Sequence, residues 1–247
     1  DLSIQFQGTF TYNNNEISVY DEAPGTRPAM KRQGKNVNTV WGYVADGLYI
    51  DKADIANSPT STLGNIAIAP GDIKYVDQPD RDGKYDGRIT SDDQVPLGVS
   101  VPKIIYGFGP SVGYKNWDFS VFFQGRGNVA LMLSDIQPFG SSYRRGVLKF
   151  IDENHWSPDN QDPNAKYPRL TDNYNNHNTV SSSYWLRNGR FLKLKNAEIG
   201  YSLKNMRFYV NGTNLLTFSP FKKWDPEMGG GNYTTKYPTQ MTVNVGV

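Results

Sequence analysis

The stretch Trp117-Asp118-Phe119-Ser120-Val121-Phe122-Phe123-Gln124 decides the fold. Trp117, Phe119, Val121 and Phe123 fall on one parity; Asp118, Ser120 and Gln124 fall on the other, with Phe122 the exception. Successive side chains of an extended chain point to opposite faces, so this is a strand with one apolar and one polar face. The apolar parity carries no charge. The same period runs outward in both directions. Leu2, Ile4, Phe6, Phe10 and Tyr12 alternate with Ser3, Gln5, Gln7, Thr9 and Thr11, and Ile104, Tyr106, Phe108, Val112 and Tyr114 alternate with Gly107, Gly109, Ser111 and Gly113. Further on, Ala197, Ile199, Tyr201 and Leu203 share a face within a strand over 191–203. Leu192 and Leu194 have the wrong parity for that face, which predicts a bulge near Asn196. Met206, Phe208 and Val210 alternate with Arg207, Tyr209 and Asn211, and Met241, Val243, Val245 and Val247 with Thr242, Asn244 and Gly246.

Six strands follow, and their connections are unequal. Lys115-Asn116 and Lys204-Asn205 are two-residue turns, whereas 13–102, 129–188 and 218–239 are long and show no clear period. Structureless connections of that length are rare inside a compact soluble domain. Outer-membrane barrels have them, joining strands by short periplasmic turns and long outer loops. Long and short links alternate strictly here, so all three long links are expected at one end of the sheet. The fold class read from this is all-β, a transmembrane antiparallel up-and-down β-barrel with long extracellular loops. Six strands cannot close a pore, and lipid does not tolerate open sheet edges. The rest of the barrel is therefore expected outside residues 1–247, and Asp1-Leu2-Ser3-Ile4, which already reads as mid-strand, is expected to be a cut. A soluble β-sandwich predicts the same alternation; the loop asymmetry favours the membrane.

Composition agrees. Lys+Arg number 26 against 24 Asp+Glu, a net charge of +2, so there is no electrostatic case for nucleic acid. The absence of cysteine excludes a disulfide framework and a thiolate metal site. No run approaches the ~20 apolar residues of a membrane helix. A mean hydropathy of −0.60 does not count against a barrel, whose strands alternate apolar and polar.

Several strings are similar to the C-terminal region of SusC/RagA TonB-linked outer-membrane proteins. They include Trp41-Gly42-Tyr43-Val44-Ala45-Asp46-Gly47-Leu48, Pro70-Gly71-Asp72-Ile73-Lys74-Tyr75, Trp156-Ser157-Pro158-Asp159-Asn160, Tyr167-Pro168-Arg169-Leu170, Tyr184-Trp185-Leu186-Arg187-Asn188-Gly189 and Trp224-Asp225-Pro226-Glu227. They occur in the family's order and span nearly the whole chain. The resemblance implies the last six strands of a 22-stranded barrel with a plugged lumen. It implies energy-coupled import of oligosaccharides or oligopeptides across the outer membrane of a Gram-negative bacterium of the Bacteroidetes. The implied partners are a SusD-like surface lipoprotein, TonB through an N-terminal region and plug outside this chain, and outer-membrane lipid. The link Leu203-Lys204-Asn205-Met206 is shorter than the family's, and the chain stops at Val247 short of the family's terminal aromatic. The alternatives kept open are a secreted β-rich carbohydrate-binding or adhesion module and a β-sandwich hydrolase.

Candidate site residues are few. Trp41, Trp156, Tyr184, Trp185 and Trp224 could stack on a sugar ring or wedge a peptide; packing of the long loops is the favoured reading for any one of them. The acidic stretch 77–93 partly resembles an EF-hand loop, with Asp82 at position one, Asp86 and Gly87 at five and six, and Asp93 at twelve. Lys84 is wrong for a ligand position, so a solvated turn-rich loop is favoured over Ca2+, and no other cofactor is expected. His155 and His177, far apart in one loop, lack the companions of a zinc site or a triad. Asp225/Glu227 and Asp152/Glu153 are glycosidase pairs only on paper. Gly229-Gly230-Gly231 has no phosphate-loop context. No enzyme is expected.

Overall fold

The computed structural model describes residues 1–133, 147–172, 175–229 and 237–247. Gly230 and Gly231 lie outside the described residues. The chain divides into two compact units: 1–14 with 99–131 and 187–247, and 15–98 with 132–186.

The first unit is a six-stranded antiparallel sheet, in which β1 (Leu2–Tyr12), β2 (Ile104–Tyr114), β3 (Trp117–Gly127), β4 (Phe191–Leu203), β5 (Met206–Phe218) and β6 (Thr242–Gly246) lie side by side in chain order. Directly opposed residues share a face, so the register assigns the faces. Ile4, Val112, Phe119, Ile199, Val210 and Val245 form one continuous row across all six strands. The adjacent row on the other face runs Gln5, Ser111, Ser120, Glu198, Asn211 and Asn244. A one-residue slip anywhere would break both rows.

The predicted bulge is present. The β4 register shifts between Leu194 and Asn196 against both neighbours, leaving Lys195 as the extra residue against β3. On β5 the matching irregularity falls at Asn214, with φ +54. The shift returns Leu192 and Leu194 to the apolar face, opposite Gly125 and Phe123. It also lets β5 run to Phe218, well past the alternation legible to Val210.

Both two-residue turns have their first residue in the left-handed region, Lys115 and Lys204 each at φ +53. They close the same end of the sheet. The strand ends that give off the three long connections therefore all lie at the opposite end, as the alternation predicts.

The second unit corrects one expectation: the first two long connections are not structureless. Ala45–Leu48 pairs antiparallel with Ile73–Tyr75, Thr60–Ser61 pairs parallel with Arg88–Ile89, and Thr39–Gly42 pairs with Val95–Val99. Short helices at Lys52–Ala56 and Asn176–Thr179 are N-capped by the side chains of Asp51 and Asn175. Tyr49, Ile73, Tyr75, Ile89, Ile151 and Trp185 form a buried core. No helix among the described residues is long and apolar enough to cross a membrane, which says nothing of strands.

Candidate functional site

The polar face of the six-stranded sheet gathers the side chains that can form hydrogen bonds and ion pairs. Glycine recurs along it in step with long side chains. The row Ser3, Gly113, Asp118, Gly200, Tyr209 and Gly246 alternates a small residue with a large one from Gly113 onward. A Cβ at Gly200 would run into the Asp118 carboxylate and the Arg207 guanidinium, and one at Gly246 into the Tyr209 ring. The glycines thus let these side chains lie flat along the wall. Near the short turns Arg207 pairs with Asp118 and, at 2.6 Å, with Glu198. Asn211 Nδ2 donates to Glu198 at 3.2 Å, and Asn244 Nδ2 donates to the Asn211 side-chain Oδ1 at 3.0 Å. Midway along, Gln7, Thr9, Ser111, Ser120, Phe122 and Asn196 line an uncharged concavity of about 420 Å³.

Towards the long-loop end the polar face carries Lys193, 1% exposed at its side chain, whose Nζ donates to Asp225 Oδ2 at 2.5 Å and Glu227 Oε2 at 2.7 Å. Lys195 Nζ lies 3.0 Å from the same Glu227 oxygen. Burial pushes both carboxyls up. Bonds from Lys193, with Thr239 on Asp225 and Lys195 on Glu227, outweigh burial and hold both below the usual range. A glycosidase acid needs a raised value, so Asp225/Glu227 is a neutralised clamp. The other pair on paper is part of a local turn: Asp152 ends the helix Lys149–Asp152, and Glu153 lies 3.6 Å from Lys149.

The predicted aromatics separate. Trp185 is fully buried, donating its indole N–H to the Asn178 carbonyl at 2.8 Å. Trp156 is 7% exposed and its ring fills the space where a Cβ of Gly71 would stand. Gly71 has φ +85, so both backbone and space require glycine there. These two tryptophans are packing residues. Trp41, Tyr184 and Trp224 keep partial exposure. Tyr184 donates its hydroxyl to Ala165 O at 2.7 Å, and Trp224 stacks edge-on against Phe221 and donates to Gly229 O at 2.9 Å.

Among the described residues, Asp82, Asp86 and Asp93 do not gather into a group that could hold a metal. Asp82 is exposed in a small turn in which its N–H, and that of Lys84, bond the Asp80 carboxylate. Asp86 and Asp93 instead hold the guanidinium of Arg27, at 2.8 and 2.9 Å.

Pattern reading missed a buried network centred on Asp72. This carboxylate, 0% exposed, accepts from Arg169 Nε at 2.7 Å and Nη2 at 3.0 Å, Asn178 Nδ2 at 2.8 Å, Asn175 Nδ2 at 3.2 Å and Ala69 N at 2.9 Å. Beside it His177 is buried, with Nε2 2.6 Å from Ile73 O and Nδ1 3.1 Å from Ser61 Oγ. The carbonyl can only accept, so Nε2 carries the proton and Nδ1 accepts from the hydroxyl. Burial lowers the imidazole's pKa; the Ile73 bond and Asp72 oppose that, and Arg169 adds to it. The sign is then fixed. Below the unfolded value of about 6.5 the unfolded chain takes up a proton that the folded chain refuses. Stability is lost as pH falls from there to the lower folded pKa, at ~1.4 kcal/mol per pH unit inside that window. Limited proteolysis of 15–98 at pH 7.5 and 5.5 should show this loss, and His177→Gln should flatten it.

No family model matches the chain. Among curated proteins it is similar to TonB-dependent receptor P26 of Formosa agariphila, at 32% identity over 201 residues covering 72% of this chain. TonB-dependent receptor P3 of the same organism is 27% identical over 92% of the chain, and TonB-dependent receptor SusC of Bacteroides thetaiotaomicron is 24% identical over all of it. The chain belongs to the SusC/RagA family of TonB-dependent receptors. It spans about a fifth to a quarter of these relatives, at 22%, 19% and 24% of their lengths. Solved structures of the RagAB peptide importer share the fold. One superposes with a TM-score of 0.66 at 21% identity, covering 99% of this chain and 27% of that one, and another, in the open-open state, with 0.65 at 19%. The family is one of receptors and transporters, not of enzymes. The strings in which the sequence resembles this family are largely core-forming in this chain: Pro70–Tyr75 and Tyr167–Leu170 meet through Asp72 and Arg169, and Trp156 closes over Gly71.

Proposed function

We propose that the chain is the C-terminal wall of a 22-stranded outer-membrane barrel that imports oligosaccharides or oligopeptides. In this reading the apolar rows face lipid, the polar rows line the lumen, and the free edges of β1 and β6 pair with strands outside this chain. The observation that carries it is the pair of adjacent six-residue rows, one wholly aliphatic or aromatic and one wholly polar. Phe6 and Phe10 are 68% and 70% exposed on the apolar side. A secreted adhesion module would have to cover such a face, whereas lipid covers it in a barrel. Tyr114, Trp117 and Tyr201 sit on that face beside the short turns, Trp117 and Tyr201 with ring centroids 4.7 Å apart. An aromatic girdle at a membrane interface has this composition.

Transport would run on TonB through a plug outside this chain, beneath a SusD-like surface lipoprotein docked on the unit built from 15–98 and 132–186. Recognition concentrates in loops held by rigid walls. Trp41, Tyr184 and Trp224, which keep exposed surface, are the aromatics we assign to solute contact. The acidic stretch is assigned no resident metal. Deleting 132–186 from the full-length protein, with barrel folding verified, should abolish lipoprotein co-purification or nutrient uptake. Partner binding and uptake both unchanged would refute this placement of function.

A further inference from the structure

The sequence Asp86-Gly87-Arg88-Ile89-Thr90-Ser91-Asp92-Asp93 has the second half of a calcium loop: an acid, a glycine, and an acid six residues after that glycine. Its backbone follows suit. Gly87 has φ +70, Ile89 is fully buried, and Asp93 closes a capping box with Thr90. The first acid, however, is not Asp82. The residues between Asp80 and Lys84 turn back on themselves, Asp80 N bonding Lys84 O at 2.8 Å. That excursion brings Asp77 to the glycine instead: Asp77 Oδ2 accepts from Gly87 N at 2.8 Å. Asp93 closes the ring from the far side, its two oxygens accepting from Gln78 N at 3.0 Å and Thr90 N at 2.7 Å.

A cationic group already stands inside this ring. Arg27 Nη1 donates to Asp93 Oδ1 at 2.9 Å and to Gln78 O at 2.5 Å, and Nη2 donates to Asp86 Oδ2 at 2.8 Å. Two carboxylates and a backbone carbonyl around one cation are the donor types of a calcium site. One further oxygen is left over: Asp77 is 6% exposed, its Oδ1 receives no N–H or hydroxyl hydrogen bond, and its carboxyl lies against that of Asp93. It lies close enough to Asp86 and Asp93 that, after burial, their charges raise its pKa. The cage therefore has an oxygen more than the guanidinium satisfies.

We propose that Arg27 is the resident cation of a carboxylate cage formed by Asp77, Asp86 and Asp93, and that the cage takes a calcium-class divalent cation only when the guanidinium is removed. The span of the planar guanidinium holds Asp86 and Asp93 further apart than one metal ion would, and without it the loop can close. In the wild-type protein the fold of 77–93 is consequently independent of external calcium.

The test uses the full-length protein in detergent, with protease cleavage and hydrogen exchange in 77–93 as readouts. Wild type should behave identically in chelator and in millimolar calcium chloride. Arg27→Ala in chelator should expose 77–93 about tenfold or more, since the buried acceptors lose a charged donor. Millimolar calcium, within the range of extracellular calcium modules, should restore protection, magnesium should not, and adding Asp93→Asn should abolish the rescue. Should Arg27→Ala fail to accumulate, Arg27→Lys carries the test in milder form, because a single ammonium cannot span all three acceptors. Calcium-dependent protection of wild type would overturn the proposal. So would an Arg27→Ala protein that stays protected in chelator, or one that calcium does not rescue.

Discussion

Asp72→Ala is expected to cost about 3–5 kcal/mol, the range for removing one partner of a buried ion pair. The carboxylate is wholly buried and receives five hydrogen bonds from four residues. Its loss leaves the Arg169 guanidinium without its ion-pair partner and takes an acceptor from two buried amides. Those donors come from residues 97, 103 and 106 positions away, so the carboxylate ties the first long connection to the second. Asp72→Asn keeps the size of the side chain but removes its charge and one acceptor oxygen, facing Arg169 or the amides with an NH2 group, and should cost nearly as much. Urea titration of the full-length protein, followed by proteolysis within 15–98, would measure both. A loss below ~1 kcal/mol for Asp72→Ala would mean that the unit is held by its aromatic core alone.

Val121→Arg should cost ~2–4 kcal/mol, the penalty for a cation at mid-depth on the lipid side of a barrel. Val121 is the fifth residue of the eleven in β3 and faces Ala197 on the apolar side. Ser120→Arg, one residue away on the polar side, should be nearly silent, since water and the neighbouring Glu198 can accommodate it. Heat-modified mobility and urea midpoints of the folded barrel in lipid would separate the two. The contrast is the informative quantity, because overpacking or lost β-propensity would affect both positions.

The sheet was legible in the sequence because its determinants are local. Period two assigns faces from Phe119 and Ser120 without any partner being known, and the broken parity of Leu192 and Leu194 locates the irregularity before Asn196. The extension of β5 to Phe218 was hidden because the bulge at Asn214 interrupts the alternation. The loop unit was illegible for the opposite reason. Its strands are two to five residues long, and polar side chains hold it together across about a hundred positions of sequence. Trp156 and Trp185 look like ligand-stacking residues in a list of aromatics; only the left-handed Gly71 and the Asn178 carbonyl mark them as core. The acidic stretch was half legible. Asp86, Gly87 and Asp93 carry a recognisable spacing, but the excursion at 80–84 and Arg27, more than fifty residues upstream, are visible only in three dimensions.

The central claim is that the apolar rows face lipid and the polar rows face water. Spin labels on single cysteines at positions 117 to 124, in the full-length protein reconstituted in bilayers, test it most directly. Residues 1–247 contain no cysteine, and any elsewhere in the full-length protein is first replaced by serine. Oxygen, which partitions into lipid, should relax labels at 117, 119, 121 and 123 most strongly, and a water-soluble nickel chelate those at 118, 120 and 124. A profile with no alternation, or with the two reagents exchanged, would contradict the account.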